Sequence, residues 1–211
     1  MLGERAGMEL PETDYSAEDR KDRDIKTRLL EINKIAATYY YHQLKSEAGK
    51  SGLDYLVKRG LSDKTINSFG LGFAPQSTGE LYRMLKDKGY DDEILKESGL
   101  FTYEKGVRDK FWNRVIFPIM DINNKVIGFG GRVMGDAKPK YLNSPETKLF
   151  DKSRNLYGLN AARTARKNNL IICEGYMDVI SLHQAGFTQA VASLGTALTP
   201  GHARLMKRYT D

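Results

Sequence analysis

Residues 17–99 show apolar positions at steps of three and four residues, the period of an amphipathic helix. Ser16 suits a helix N-cap, and acidic residues fill the turn that would follow it. One long helix is therefore predicted from residue 17 to about Glu47. Its apolar stripe consists of Ile25, Leu29, Ile32, Ala36, Tyr39 or Tyr40, and Leu44.

Shorter segments with the same period follow, and glycines separate them. Helices are predicted at 52–59, 63–69, 79–88 and 91–97, with Ser62 as the cap of the second. Gly60 occupies a position where a left-handed C-cap is expected, and Gly89 and Gly99 would end the later helices. Residues 17–99 are thus predicted to be mainly helical, with a short strand at 71–73.

Beyond residue 101 the pattern changes to runs rich in valine, isoleucine and phenylalanine. Runs 114–121 and 125–134 flank a three-residue turn, which predicts a β-hairpin. Its second arm contains Gly128, Gly130 and Gly131, and glycine inside a strand allows a bulge or the close approach of another backbone or a ligand. These glycines are not a dinucleotide-binding fingerprint, because a strand rather than a helix continues after them.

Two more helices are predicted after the hairpin. Ser144 followed by Pro145 is typical of a cap with proline at the first helical position, and Asn143 is expected to serve the preceding turn. Residues 155–167 are predicted to be helical. Trp112, earlier in the chain, is expected in the core.

The last part of the chain alternates strand and helix. A continuous apolar run at 170–173 is typical of a buried parallel strand, and 190–194 predicts a second strand. Helices are predicted at 176–184 and 200–209. The chain is therefore expected to comprise a linker at 1–16, an α+β unit with helices and a small antiparallel sheet at 17–167, and the first βαβα part of an α/β fold at 168–211. Two strands do not form a stable parallel sheet, so this fold is expected to continue beyond residue 211.

Composition excludes several classes of protein. The longest apolar stretch, Val115 to Met120, has six residues, whereas a membrane helix needs about 20. The charged N-terminus lacks the apolar segment of a secretory signal. Cys173 is the one cysteine, which excludes an internal disulfide and a multi-cysteine zinc site. No membrane association and a cytoplasmic location are expected.

Positive charge is concentrated in the middle of the chain. The protein has 33 Lys and Arg against 27 Asp and Glu, a net charge of +6. Residues 104–167 alone contain 14 basic and 6 acidic residues, or +8. Such a block suits a polyanion such as nucleic acid, and a solvated, lysine-rich surface accounts for it equally well.

Glu174 lies where a predicted buried strand ends and a helix begins. Open α/β sheets bind ligands at this position. Gly175 allows a tight turn beside the carboxylate, and Asp178 lies one helical turn further on. Mg²⁺ usually takes one or two carboxylates together with substrate phosphates. In the alternative interpretation, Glu174 caps its own helix and Asp178 is a surface residue.

Four blocks in this order resemble bacterial DnaG-type DNA primases. Residues 126–133 read VIGFGGRV, 139–147 read PKYLNSPET, 149–152 with 156–159 read LFDK and LYGL, and 174–179 with 190–199 read EGYMDV and AVASLGTALT. The last block resembles the opening of a toprim domain. The resemblance covers residues 38–211 and implies a fragment of the RNA polymerase domain, with an N-terminal subdomain at 17–167 and part of a toprim subdomain at 168–211.

The resemblance implies a DNA-templated RNA polymerase that makes short primers for replication from nucleoside triphosphates. It implies that Glu174 is catalytic and binds Mg²⁺ or Mn²⁺, and that Asp178 supports that site. Basic residues facing the cleft would contact phosphates of the single-stranded DNA template or the nucleotide. These are Arg132, Lys140, Lys152 and Arg114, and Tyr141 would either stack on a base or pack in the core.

The sequence departs from the family pattern in two places. It has no Cys/His ligand set for the zinc domain with which these primases begin, and no Asp-x-Asp pair follows Glu174. The fragment alone is therefore expected to be inactive but able to bind single-stranded DNA, and a replicative helicase would bind regions of the parent protein outside it. The alternatives are another toprim protein, such as a topoisomerase or nuclease, and a module that only binds DNA or docks a partner.

Overall fold

A computed structural model describes residues 16–76, 79–104, 106–195 and 197–210. The linker predicted at 1–16 lies outside these ranges except for Ser16. The helices are α1 (Ala17–Leu44), α2 (Lys50–Lys58), α3 (Asp63–Ser68), α4 (Glu80–Asp87), α5 (Asp92–Glu97), α6 (Leu159–Ala162), α7 (Tyr176–Gln184) and α8 (Pro200–Met206). The strands are β1 (Gly72–Ala74), β2 (Phe101–Thr102), β3 (Arg108–Asp109), β4 (Arg114–Met120), β5 (Val126–Val133), β6 (Tyr141–Asn143), β7 (Ile171–Cys173) and β8 (Ala190–Ala192). Within the described ranges, no helix has the length and apolar character to cross a membrane.

The long helix α1 confirms the predicted start and the predicted stripe. The Ser16 hydroxyl accepts a hydrogen bond from the Asp19 N–H at 3.1 Å, and the Asp19 carboxylate accepts one from the Ser16 N–H at 3.2 Å. This reciprocal cap satisfies amide groups that the helix itself leaves without partners. The helix ends at Leu44, three residues before the predicted Glu47. Its buried face contains Leu29, Ile32, Asn33, Ala36, Tyr40 and Leu44.

A four-stranded antiparallel sheet in the order β1–β4–β5–β6 lies beneath α1. The predicted hairpin is confirmed as β4 and β5, with an irregular register between Ile119 and Met120. Gly72 of β1 lies so close to α1 that a Cβ atom there would be 2.7 Å from the carbonyl carbon of Tyr40. The rings of Tyr40 and Phe129 meet edge to face, with centroids 5.6 Å apart. The sheet thus buries one face against the helical layer.

Of the two helices predicted after the hairpin, the one at Ser144 is wrong and the one at 155–167 is confirmed only in part. Ser144 does not begin a helix, because its N–H donates to the Phe129 carbonyl at 2.8 Å and its hydroxyl accepts from the Phe129 N–H at 3.0 Å. In the segment 155–167 only Leu159–Ala162 is α-helical. Tyr157 instead exchanges two backbone hydrogen bonds with Ala192 of β8. In both places, pairing with a distant strand replaces local helix formation.

The C-terminal βαβα unit confirms the predicted parallel arrangement. β7 and β8 are parallel, with Ile172 opposite Val191, and α7 between them has the predicted bounds. β7 is less buried than the apolar run predicted, since Ile172 is 44% exposed. Within the described residues, β7 pairs only with β8.

Asp109, at the end of β3, is half-buried beneath the helical layer. Its Oδ2 accepts a hydrogen bond from the Gly79 N–H at 3.0 Å, which holds the start of α4. Its Oδ1 and the Tyr40 hydroxyl are buried, and neither has a partner among the described residues. Burial raises the pKa of Asp109 above its ordinary value, and the nearby Glu80 charge raises it further.

Replacing Asp109 by asparagine is expected to change how stability depends on pH. Because the pKa of Asp109 is higher in the folded than in the unfolded state, protonation of Asp109 stabilises the native state. This stabilisation is fully present at low pH and is lost as the pH rises through the folded-state pKa. Asp109→Asn keeps an acceptor for Gly79 but has no such loss. Urea unfolding between about pH 4 and pH 7 should show a stability that falls less with rising pH in the variant. Parallel pH profiles would contradict the raised pKa.

Candidate functional site

Two carboxylates lie at the carboxyl end of β7. Glu174 follows the strand directly, and Asp178 lies in the first turn of α7; both are exposed. The N-cap of α7 is Gly175, and among the residues that the structure describes no side chain makes a capping hydrogen bond to this helix. The alternative in which Glu174 caps its own helix is therefore wrong, and its carboxylate is available for other ligands.

The two carboxylates have the chemistry that a divalent cation requires. Within the described ranges, neither side chain makes a hydrogen bond or ion pair with the protein, and no cluster of three or more His, Cys, Asp and Glu residues is present. Asp178 Oδ2 lies 3.8 Å from the point where a Cβ on Gly175 would be. Burial raises the pKa of the Cys173 thiol at the end of β7, and the negative charge of the nearby Asp178 raises it further. One or two carboxylates are what Mg²⁺ usually takes from a protein, so these residues fit such an ion.

Tyr176 fixes the start of α7 against the antiparallel sheet. Its ring stacks on Phe117 with centroids 5.0 Å apart and planes inclined by 6°. A Cβ on Gly130 would lie 2.5 Å from Cζ of this ring, so only glycine permits the contact. The close approach expected at the glycine-rich strand is thus made by a tyrosine side chain. Since Tyr176 follows Glu174 by two residues, this packing positions the carboxylate relative to the sheet.

Asn143 of β6 makes a second connection, which the sequence analysis missed. Its Oδ1 accepts a hydrogen bond from the Tyr176 hydroxyl at 2.7 Å, and its Nδ2 donates to the Leu194 carbonyl at 2.8 Å. Leu194 is the second residue after β8, and Tyr176 is the third after β7, so both follow the carboxyl ends of the parallel pair. Asn143 therefore joins both strand ends to the antiparallel sheet. No local pattern could indicate this, because the partners lie 33 and 51 residues away.

Arg132 and Tyr141 lie opposite each other on β5 and β6, beside the start of α7. The half-buried Arg132 donates from Nη1 to the Val133 carbonyl at 3.1 Å, and its guanidinium carbon lies 4.1 Å from the centroid of the Tyr55 ring. Tyr141 is 42% exposed, which contradicts its placement in the core, and its ring centroid lies 6.4 Å from that of Tyr176. Through Tyr176, the structure thus connects the strands that carry Arg132 and Tyr141 to the turn that follows Glu174.

Lys140 and Arg114 occupy different depths. Lys140 is exposed, and its carbonyl accepts hydrogen bonds from the Val133 N–H at 3.0 Å and from Arg114 Nη1 at 3.4 Å. Arg114 is only 6% exposed and also donates to the Gly131 carbonyl at 3.2 Å. Burial lowers its pKa. Arg114 therefore lies beneath the strand end that presents Lys140.

A second basic group forms around Lys152. Lys152 is half-buried, and its carbonyl is within 2.7 Å of the His202 Nε2. Burial lowers the pKa of Lys110, and the nearby charge of Lys152 lowers it further. Lys110 was not singled out from the sequence, where its only signal is membership of the basic block.

Trp112 was expected in the core but is 42% exposed and donates from Nε1 to the Gln76 carbonyl at 2.7 Å.

Comparisons with known proteins agree with this geometry. Residues 39–163 match the family model described as DNA primase catalytic core, N-terminal domain, and residues 168–211 match the toprim domain. The chain is 50% identical over 193 residues to a DNA primase of Clostridium acetobutylicum, covering 90% of this chain and 32% of that one. The chain spans about a third of the length of the curated relatives that it matches.

Two solved structures resemble the fold closely. A DnaG primase catalytic domain bound to single-stranded DNA is 42% identical, with a TM-score of 0.83, and the match covers 89% of this chain and 62% of that one. The RNA polymerase domain of Mycobacterium tuberculosis primase DnaG, in complex with double-stranded DNA with a 6-nucleotide overhang, is 36% identical with a TM-score of 0.83. That match covers 87% of this chain and 59% of the other.

Proposed function

The chain belongs to the DnaG-type DNA primase family, as part of its catalytic core, and we propose that it supplies one side of an active site for DNA-templated synthesis of short RNA primers. The observation that carries the proposal is the junction at Tyr176, whose ring centroid lies 6.4 Å from that of Tyr141, opposite Arg132 in the sheet. Glu174 precedes Tyr176 by two residues, so a segment with a carboxylate for a metal ion packs against strands that bear a cation for phosphate, the two groups that a nucleotidyl transfer requires. We place the division between the N-terminal and toprim subdomains after Lys167.

Glu174 would hold Mg²⁺ or Mn²⁺, with Asp178 beside it as a supporting carboxylate. When bound, such an ion supplies charge stabilisation for the phosphates and lowers the pKa of a hydroxyl that it contacts. Gly175, directly after Glu174, adds no side chain to the space beside the carboxylates. Tyr176 and Asn143 hold the turn in place, so that the carboxylates need little rearrangement when the ion and the nucleotide bind.

The basic residues would contact the phosphates of the single-stranded template or of the incoming nucleoside triphosphate. Arg132 lies on β5, Lys140 directly precedes β6, and Arg114 supports Lys140 from beneath; Lys152 lies near Lys110 and lowers its pKa. The two similar solved structures were determined with DNA, which supports this assignment. Tyr141 would stack on a base, as aromatic side chains do in single-strand grooves.

The remaining partners follow from the family. A replicative helicase and a zinc-binding domain would act through other parts of the protein, in the cytoplasm where replication takes place. A topoisomerase or nuclease is the alternative for a toprim protein. The match of residues 39–163 to the primase N-terminal domain favours primase, because that domain accounts for more than half of the chain.

Arg132→Ala and Lys140→Ala are expected to weaken binding of single-stranded DNA of any sequence. Each lost phosphate contact should reduce the slope of log K against log salt by about 0.7 for a single strand. Fluorescence anisotropy of a labelled oligonucleotide across salt concentrations measures both effects. Lys88→Ala, at an exposed lysine after α4, is the control and should leave the slope unchanged. Equal slopes in all four proteins would contradict the assignment of these residues to phosphate contacts.

A further inference from the structure

Tyr55 of α2 lies under the guanidinium group of Arg132. The guanidinium carbon is 4.1 Å from the centroid of the tyrosine ring, which is a cation–π contact. Tyr55 is half-buried and packs on the core formed by β4, β5 and α7. The Tyr55 ring therefore provides a fixed surface on α2 against which the flexible Arg132 side chain of β5 packs.

Tyr55 also lies beside Tyr141. Burial raises the pKa of Tyr141, and the neighbouring Tyr55 raises it further, whereas the charges of Arg132 and Arg59 act in the opposite direction. Arg59, the C-cap residue of α2, follows Tyr55 by four residues, so the two side chains lie on the same face of this helix. Two tyrosines and two arginines thus form one cluster, which we call the Tyr55 cluster: Tyr55, Arg59, Arg132 and Tyr141.

The arginines of the cluster have N–H donors that no group among the described residues accepts from. A guanidinium group has five N–H donors, and among the described residues Arg132 uses one nitrogen, Nη1, for the Val133 carbonyl. Neither Arg132 nor Arg59 forms an ion pair with a carboxylate in the part of the chain that the structure describes. An arginine held on an aromatic face with its remaining donors free is suited to a phosphate group.

We propose that Tyr55 is a positioning residue for the template strand, which holds Arg132 toward a phosphate while Tyr141 presents its exposed face to the adjoining base. The inference rests on the proposed function and deepens it, since it assigns one nucleotide unit of a single-stranded polynucleotide to this cluster. Tyr55 acts through Arg132 and need not touch the nucleotide itself. The aromatic ring, and not its hydroxyl, carries this role.

The test is binding of a fluorescein-labelled thymidine oligonucleotide, measured by anisotropy across salt concentrations with the full chain. Tyr55→Leu is expected to weaken binding about 2- to 30-fold, the range of a cation–π contact, whereas Tyr55→Phe should bind normally. Tyr55→Gln is a second non-aromatic replacement if the leucine variant fails to fold, and thermal unfolding checks each protein. Tyr41→Leu is the matched control, because Tyr41 has its own cation–π contact with Lys45 at 4.3 Å on α1.

Arg132→Ala separates a positioning role from a structural one. In that background, the change at Tyr55 should have no further effect on affinity or on the salt slope, because the group that it positions is gone. An equal loss in both backgrounds, or normal binding by Tyr55→Leu and Tyr55→Gln, would overturn the inference alone. Failure of the unmodified chain to bind at low salt would overturn the template assignment itself, and this inference with it.

Discussion

Replacing Glu174 by glutamine is expected to reduce primer synthesis by a factor of about 10² to 10⁴, the range of a lost catalytic acid or base, and more if the metal ion is lost as well. Glutamine keeps the size of the side chain but has no charge for a divalent cation. The carboxylate is exposed and makes no hydrogen bond or ion pair with the described residues, so folding should be unaffected. Unchanged thermal unfolding would show that the loss is chemical.

The assay uses a chimera in which residues 16–210 replace the matching segment of the Clostridium acetobutylicum DNA primase, 50% identical over 193 residues. Incorporation of labelled ribonucleotides on a single-stranded template measures the rate. Glu93→Gln, at an exposed glutamate in the first turn of α5, is the matched control and should leave the rate unchanged. A chimera that contains glutamine at position 174 and synthesises primers at the unmodified rate would refute the catalytic role.

Replacing Tyr176 by alanine is expected to produce the largest loss of stability, about 3 to 5 kcal/mol, as for other large aromatic residues removed from a core. Tyr176 is 6% exposed, stacks on Phe117 and meets Tyr157 edge to face at 4.7 Å. Tyr176→Phe keeps these ring contacts and loses only the hydrogen bond to Asn143, which should cost about 1 kcal/mol. Urea unfolding measures both, and equal losses in the two variants would contradict the packing role.

Gly130 provides a test of the same contact from the opposite side. A Cβ there would meet the Tyr176 ring at 2.5 Å, so Gly130→Ala should cost about 1 to 3 kcal/mol through overpacking. In the Tyr176→Ala background the space is free and the cost should largely disappear, which a double-mutant cycle reports as coupling. Gly175→Ala is the control glycine, since its φ of −156° is ordinary extended backbone and its nearest side-chain atom lies 3.8 Å away.

Elements determined by local chemistry were predicted well from the sequence. The cap at Ser16, the apolar stripe of α1 and the bounds of α7 depend on residues within a few positions of each other. The hairpin of β4 and β5 was also predicted, because its two arms are adjacent in the chain and rich in β-branched residues. In the site, the strand-to-helix turn at Glu174 followed from a short apolar run and one glycine.

Predictions failed where distant strands compete with local preference. Ser144 and Pro145 are good helix-starting residues, but pairing of Ser144 with Phe129 extends the sheet instead. Likewise, most of 155–167 is not helical, because Tyr157 pairs with Ala192. The exposed position of Trp112 was missed, and that of Tyr141 was left open, for a similar reason: an aromatic residue is buried or exposed according to what covers it, which the local sequence does not specify.

The order and type of most elements, the basic character of the middle third and the family all follow from the sequence, because helix caps, periodicity and motif blocks are read from neighbouring residues. Which side chains share the site depends instead on the tertiary structure. Tyr176 reaches Gly130, Asn143 reaches Leu194, and Tyr55 reaches Arg132, across separations of 46, 51 and 77 residues. Such contacts depend on how the sheet and the βαβα unit pack together, and ring stacking and two hydrogen bonds from one asparagine fix that arrangement.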